Sequence, residues 1–151
     1  PALLDEAGLG PALKVHLEQV ARRSGLQAEL QMSATLTRVA PAVETACFRI
    51  AQEALTNVLR HAQASSLEVR LSQTEKMLSL SIRDNGVGCD KELALQRAQR
   101  GESLGWSGMR ERAALVGGQI EFFSAPGEGT EIQASFPLRI RPADKTKPPE
   151  V

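Results

Sequence analysis

The stretch Pro41-Ala42-Val43-Glu44-Thr45-Ala46-Cys47-Phe48-Arg49-Ile50-Ala51-Gln52-Glu53-Ala54-Leu55-Thr56-Asn57-Val58-Leu59-Arg60-His61 decides the fold. Val43, Ala46, Cys47, Ile50, Ala51, Ala54, Leu55, Val58 and Leu59 recur at helical spacing and make a wide apolar stripe. Pro41 opens the segment and no Gly or Pro interrupts it, so one helix is expected from Pro41 to about residue 61. Beside the apolar stripe runs a polar one. Glu53, Asn57 and His61 fall at i, i+4 and i+8, where each step drifts only about 40° around the axis, and Arg60 lies close by. A solvated helix face has the same composition, so this stripe takes its meaning from the rest of the chain.

Toward the N-terminus, Leu13, Leu17 and Val20 keep helical spacing from Pro11 to about Arg23, and Gly25 ends that helix. Residues 1–10 read as the end of an upstream element running into a Gly-bounded link. Ala28, Leu30 and Met32 then alternate with Gln27, Glu29 and Gln31 at the strand period. Toward the C-terminus, Leu67, Val69 and Leu71 alternate, as do Leu78, Leu80 and Ile82, with a turn at Thr74-Glu75-Lys76. Residues 90–104 are polar and carry at most one short helix. Ser107 is a plausible N-cap for a helix holding Met109, Ala113 and Val116, stopped by Gly117-Gly118. A last hairpin pairs Gln119–Ser124 with Thr130–Phe136, and residues 139–151, rich in Pro and charge, read as a disordered tail. Strands that come mostly as hairpins, with helices collected on one face, indicate a two-layer α/β sandwich with a mixed, mostly antiparallel sheet.

Composition narrows the function. Lys+Arg and Asp+Glu both number 18 in 151 residues, so net charge points to neither nucleic acid nor an anionic membrane. No apolar run reaches membrane-spanning length, and a cytoplasmic location is expected. Cys47 and Cys89 lack metal-ligand spacing and read as reduced thiols, and His16 and His61 are too far apart for a zinc site. With aromatics at 3%, the core should be aliphatic.

Two further clusters carry chemistry. Asp84-Asn85-Gly86-Val87-Gly88 follows a strand, with glycines that allow close backbone approach and a carboxylate at the mouth. Gly105-Trp106-Ser107-Gly108-Met109 leads into a helix start, where free N–H groups and the positive dipole end face an anion. Neither a Walker loop nor a dinucleotide fingerprint is present. Together with the Glu53–Asn57–His61 stripe these clusters compose a nucleotide site. A buried Asp84 accepts from the adenine amino group and rejects the guanine carbonyl. Magnesium needs only hard oxygens, such as that of Asn57 with phosphates, and keeps several waters. The polar stretch before Gly105 is placed to close as a lid.

Arg49 through Ala62 resembles the N box of the Bergerat-fold ATPases, which include gyrase, chaperone, histidine-kinase and mismatch-repair types. Asp84 through Gly88 resembles their first glycine box, and Gly127-Glu128-Gly129-Thr130 their G-x-G-T. Gly105 through Arg112 is similar to the second glycine box in the form found in NarL/DesK-type sensor histidine kinases. Leu4-Asp5-x-x-Gly8-Leu9-x-x-Ala12-Leu13 resembles the segment leaving the dimerisation helices in that subgroup. The resemblance implies an ATP-binding catalytic domain over residues 11–138. Asn57 would coordinate Mg²⁺, with Glu53 near the metal and γ-phosphate; in hydrolysing relatives the equivalent glutamate activates water. Arg60 would approach phosphate and His61 the nucleotide. Asp84, Gly86 and Gly88 would form the adenine pocket, supported by Thr130, and Gly105, Gly108 and Met109 the closing edge of the lid.

The implied activity is transfer of the ATP γ-phosphate to a histidine on a separate dimerisation domain, then to an aspartate of a NarL/LuxR-type response regulator. An isolated domain of this kind is expected to be monomeric. Two departures from the pattern stand out. Trp106 occupies a position that is usually aliphatic, and the acceptor His-acidic pair is not within these residues; His16 lies in no such context. An anti-sigma-type serine kinase and a nucleotide-holding pseudokinase share the fold and are the alternatives.

Overall fold

A computed structural model of the chain describes residues 2–101 and 105–138. Five helices and five strands follow in the order α1 (Ala2–Ala7), α2 (Leu9–Ser24), β1 (Gln27–Met32), α3 (Pro41–Asn57), β2 (Ser66–Gln73), β3 (Met77–Asp84), α4 (Lys91–Gln99), α5 (Trp106–Leu115), β4 (Gln119–Ser124) and β5 (Thr130–Pro137). One sheet runs β1-β2-β3-β5-β4. Only β1 and β2 pair in parallel; the other three pairs are antiparallel. The mixed, mostly antiparallel sheet expected from the hairpin spacing is therefore the one observed.

Strand alternation sets which face meets the helices. Leu67, Val69 and Leu71 on β2, Leu78, Leu80 and Ile82 on β3, and Ile132, Ala134 and Phe136 on β5 are buried. Their in-between neighbours are Ser, Arg, Glu and Gln for the most part and form the opposite, polar face. Against the apolar face lies α3, whose Cys47, Ile50, Ala51, Ala54 and Leu55 are almost wholly buried. Each large aliphatic side chain so buried contributes roughly 1.5–3 kcal/mol. The core is mostly aliphatic, but Phe48, Phe122 and Phe136 are also inside, three of the four phenylalanines in the chain.

Four boundaries differ from the reading of the sequence. The second helix starts at Leu9, two residues before Pro11, because proline in a first turn forfeits no hydrogen bond. Residues 2–7 are helical and bury Leu4, and Gly8 at φ +94° makes the break between the two helices. The long helix is α-helical only to Asn57; a π-turn, Val58–Ala62, follows, closed by Gln63 in the left-handed region. Finally, α5 is headed by Gly105 at φ +76°, not by Ser107, whose hydroxyl is already inside the first turn.

An ion pair ties the helical layer together. Arg38 donates from Nε and Nη2 to the Glu44 carboxylate at 3.1–3.3 Å and from Nη2 to the Asp5 carbonyl at 3.1 Å. It thereby links the end of α1 to the first turn of α3, where Glu44 is only 3% exposed.

Candidate nucleotide site

Asp84 ends β3 and is 6% exposed, one of two buried charged or polar residues among those described. Its carboxylate accepts the Gly86 N–H at 2.8 Å and is also hydrogen-bonded by the Thr130 backbone, its partner across the β3–β5 ladder. Burial raises its pKa above the usual carboxylate value, and those two backbone bonds pull the other way. Thr130 adds a second acceptor. The Ser124 hydroxyl donates to the Gly129 carbonyl at 3.0 Å while accepting the Cys89 N–H at 2.8 Å. Thr130 Oγ1, 2.8 Å from Ser124 Oγ, satisfies the group by donating its proton there, which leaves it acceptor lone pairs. Asp84 and Thr130 thus offer acceptors at this end of the cleft, the match for an exocyclic amino group.

The loops forming this end are held carbonyl to glycine. A Cβ on Gly86 would stand 2.1 Å from the Ala62 carbonyl oxygen, and one on Gly88 2.0 Å from that of Ala125. Val87 N–H donates to the Ala62 carbonyl at 2.7 Å, and Gly127 N–H to the Val87 carbonyl at 2.6 Å. The π-turn at the end of α3 is therefore clamped to the loop after β3. π-turns are rare and recur at functional sites because they re-aim side chains.

The opposite end is the start of α5. The N-cap, Gly105, brings no capping side chain of its own, and the positive dipole end of the helix lies at this end of the cleft. Gly105 stands against Glu53 of α3; a Cβ there would lie 2.3 Å from the Glu53 carboxylate. Glycine is required both by that contact and by the left-handed backbone. Above the cleft, α4 is N-capped by Asp90, whose side chain accepts the Leu93 N–H at 3.2 Å. It buries no residue fully, as suits an element loosely held on the rest.

A cleft of about 110 Å³ joins the two ends, lined by Asn57, His61, Asp84, Gly88, Met109 and Thr130 among the residues singled out in the sequence. Glu53 and Gly105 stand against each other and are not among the lining residues, and Gly86 stands behind the cleft against Ala62. Arg60 is exposed and does not line the cleft. Gly108 is exposed with open space where a Cβ would be. Sequence reasoning missed Cys89, Ala94, Ala98, Phe122 and Ile132, which complete an apolar wall. The signals were a short strand alternation for Phe122 and Ile132 and simple adjacency to Gly88 for Cys89. Both cysteines are free thiols, and no cluster of metal-ligating His, Cys, Asp or Glu side chains occurs among the described residues.

These features suit a purine nucleotide: acceptors for the base, an apolar wall for its ring, and a helix N-terminus for phosphate. The amide oxygen of Asn57 and the carboxylate of Glu53 are the hard ligands a phosphate-bound Mg²⁺ would take.

Fold and cleft together define an ATP-binding two-layer α/β domain of Bergerat type. The model of the histidine kinase-, DNA gyrase B- and HSP90-like ATPases matches residues 42–140, and the chain belongs to that family. A sensor-like histidine kinase of Chloroflexus aurantiacus, itself uncharacterised, is 36% identical over 141 residues, 91% of this chain and 24% of that protein. The histidine-protein kinase/phosphatase DegS of Brevibacillus brevis is 33% identical over 135 residues, 89% of this chain and 34% of DegS. The chain thus spans about a quarter to a third of these relatives. Among solved structures, the histidine kinase domain of the blue-light activated kinase from Erythrobacter litoralis EL346 superposes with a TM-score of 0.69 at 21% identity. That match covers 86% of this chain and 61% of that one and carries the fold.

Proposed function

We propose that the chain is the catalytic domain of a sensor histidine kinase. It binds ATP with Mg²⁺ and delivers the γ-phosphate to a histidine on a separate dimerisation domain of the same parent protein. The phosphate then passes to an aspartate of a response regulator, for which the Gly105–Arg112 form favours the NarL/LuxR type. The parent would work in the cytoplasm. The observation that carries the reading is the arrangement of one cleft: the acceptors of Asp84 and Thr130 at one end, the N-terminus of α5 at the other.

Asp84 and Thr130 hold the adenine amino group and so fix the purine. Asn57 supplies a metal oxygen, and the first turn of α5 holds phosphate. Bound Mg²⁺ supplies charge neutralisation on the β- and γ-phosphates. Catalysis is then positioning and electrostatics, with the terminal phosphate held toward a nucleophile brought by the partner domain. Glu53, against Gly105, couples α3 to the lid edge and stands where it can orient a proton or metal-bound water.

The test supplies this chain with radiolabelled ATP and the dimerisation domain of its parent. Acid-labile label on that domain, lost with Asn57→Ala, is expected. Unchanged transfer by Asn57→Ala would sink the metal assignment. Label appearing on a serine, or on this chain alone, would sink the histidine-kinase reading.

A further inference from the structure

Trp106 is the only tryptophan in the chain, and its Nε1 is the only buried side-chain nitrogen or oxygen among the described residues without a hydrogen-bond partner. A buried N–H left unmet costs as much as a lost hydrogen bond, so native proteins rarely keep one that has no use. Where the related motif carries an aliphatic residue, the same apolar area would be filled with no donor to satisfy. The tryptophan adds only ring area and that N–H.

The placement is specific. Trp106 is the first residue of α5, directly after Gly105, and its ring lines the cleft. It meets Phe122 edge-on with centroids 4.8 Å apart, and a ring is at best a weak acceptor. The same cleft lining carries apolar Ala94, Ala98 and Met109. The base end already has its polar groups in Asp84 and Thr130. Trp106 sits instead at the helix N-terminus, the positive dipole end. On the nucleotide-binding reading above, we propose that the Trp106 indole N–H is a nucleotide-positioning donor. It hydrogen-bonds an oxygen of the sugar–phosphate part of the bound nucleotide when α5 settles over the ligand.

One tryptophan gives one indole N–H resonance, so the test needs no variant to begin. The ¹⁵N-labelled chain is titrated with ADP and, separately, with adenosine, while Trp106→Phe is measured by calorimetry against both. The phenylalanine keeps a ring against Phe122 and removes the donor together with part of the indole's ring area, so the resonance reports on the donor itself. Expected is a downfield shift of the indole proton at saturating ADP and roughly 10-fold weaker ADP binding by Trp106→Phe. A loss confined to ADP assigns the acceptor to phosphate; an equal loss with adenosine assigns it to ribose. Wild type that binds ADP with an unmoved indole resonance overturns the proposal and leaves the nucleotide site standing. So does a Trp106→Phe variant that binds as tightly as wild type, whatever the resonance does. Wild type that binds neither ligand overturns the nucleotide reading itself, and this proposal with it.

Discussion

Asp84→Asn should exchange the purine preference of this site without unfolding it. The wild-type carboxylate uses one oxygen on the Gly86 N–H at 2.8 Å and takes a further backbone bond from Thr130. Both are donors, so an asparagine at 84 must turn its single carbonyl oxygen toward them and its NH₂ toward the cleft. The reverse orientation would set donor against donor in a site only 6% exposed. The 6-amino group of adenine then meets a donor where it had an ionised acceptor. A hydrogen bond to a charged group is worth about 1.5–3 kcal/mol, so ATP affinity should fall about 10- to 150-fold. The guanine carbonyl gains a donor in the same place, so GTP should bind Asp84→Asn better than it binds wild type. Stability near neutral pH should hold or rise, because the substitution removes a carboxylate that burial disfavours. Calorimetric titration of both proteins with ATP and GTP, alongside thermal melts, reads all three effects. An Asp84→Asn protein that melts like wild type and binds ATP within twofold of it would refute the role given to Asp84.

The same carboxylate predicts a pH dependence. Its folded pKa lies above the ordinary 3.8, so its contribution to folding is fully present below that value and is lost as pH rises through the folded pKa. Nucleotide binding needs the ionised form, so ATP affinity should weaken as pH falls through the same window, and Asp84→Asn should flatten that slope. Two glycines give a paired stability test. Gly88→Ala, at φ +64° with a Cβ 2.0 Å from the Ala125 carbonyl oxygen, should cost well over 2 kcal/mol in denaturant melts. Gly101→Ala, at φ +77° with nothing near, should cost only about 1–2 kcal/mol. Arg38→Met leaves Glu44 buried beside the α1 terminus. A loss of about 2–4 kcal/mol is expected, moderated because the Arg38 side chain is 51% exposed. Adding Glu44→Leu should recover most of that loss, and no recovery would mean the cost lies in the Asp5 carbonyl contact instead.

Periodic signals were legible and angular detail was not. The helix from Pro41, the two hairpins and the half-buried strand 27–32 follow from spacings of 3.6 and 2; the strands stand within a residue or two of their expected places, while the helix, expected to about residue 61, is α-helical only to Asn57. The π-turn left no trace in composition, because widening a helix by one residue changes no side chain. Ser107 reads as a cap since serine favours that position, yet tertiary docking on Glu53 moved the helix start back to Gly105. Burial of Leu4 was likewise unreadable, for a six-residue helix shows too few turns to reveal a face.

The glycines of the Asp84 loop illustrate why a motif can be found before its reason is. In the sequence, Gly86 and Gly88 suggest room for a ligand to approach the backbone. In the fold their bare faces are spent on protein: Gly86 against the Ala62 carbonyl, Gly88 against that of Ala125, and Gly129 against that of Asp84 itself, 2.2 Å from where its Cβ would stand. Three segments distant in sequence, the π-turn, the 84–88 loop and the 125–130 turn, thus lock around the buried carboxylate. Any Cβ at those contacts pushes Asp84 off the two backbone bonds that aim it. The acceptor geometry at the base end is therefore a property of how these loops pack. A ligand that bridges Asp84 and the start of α5 would draw the same loops toward α5, so nucleotide should raise the melting temperature by stabilising the packed form alone.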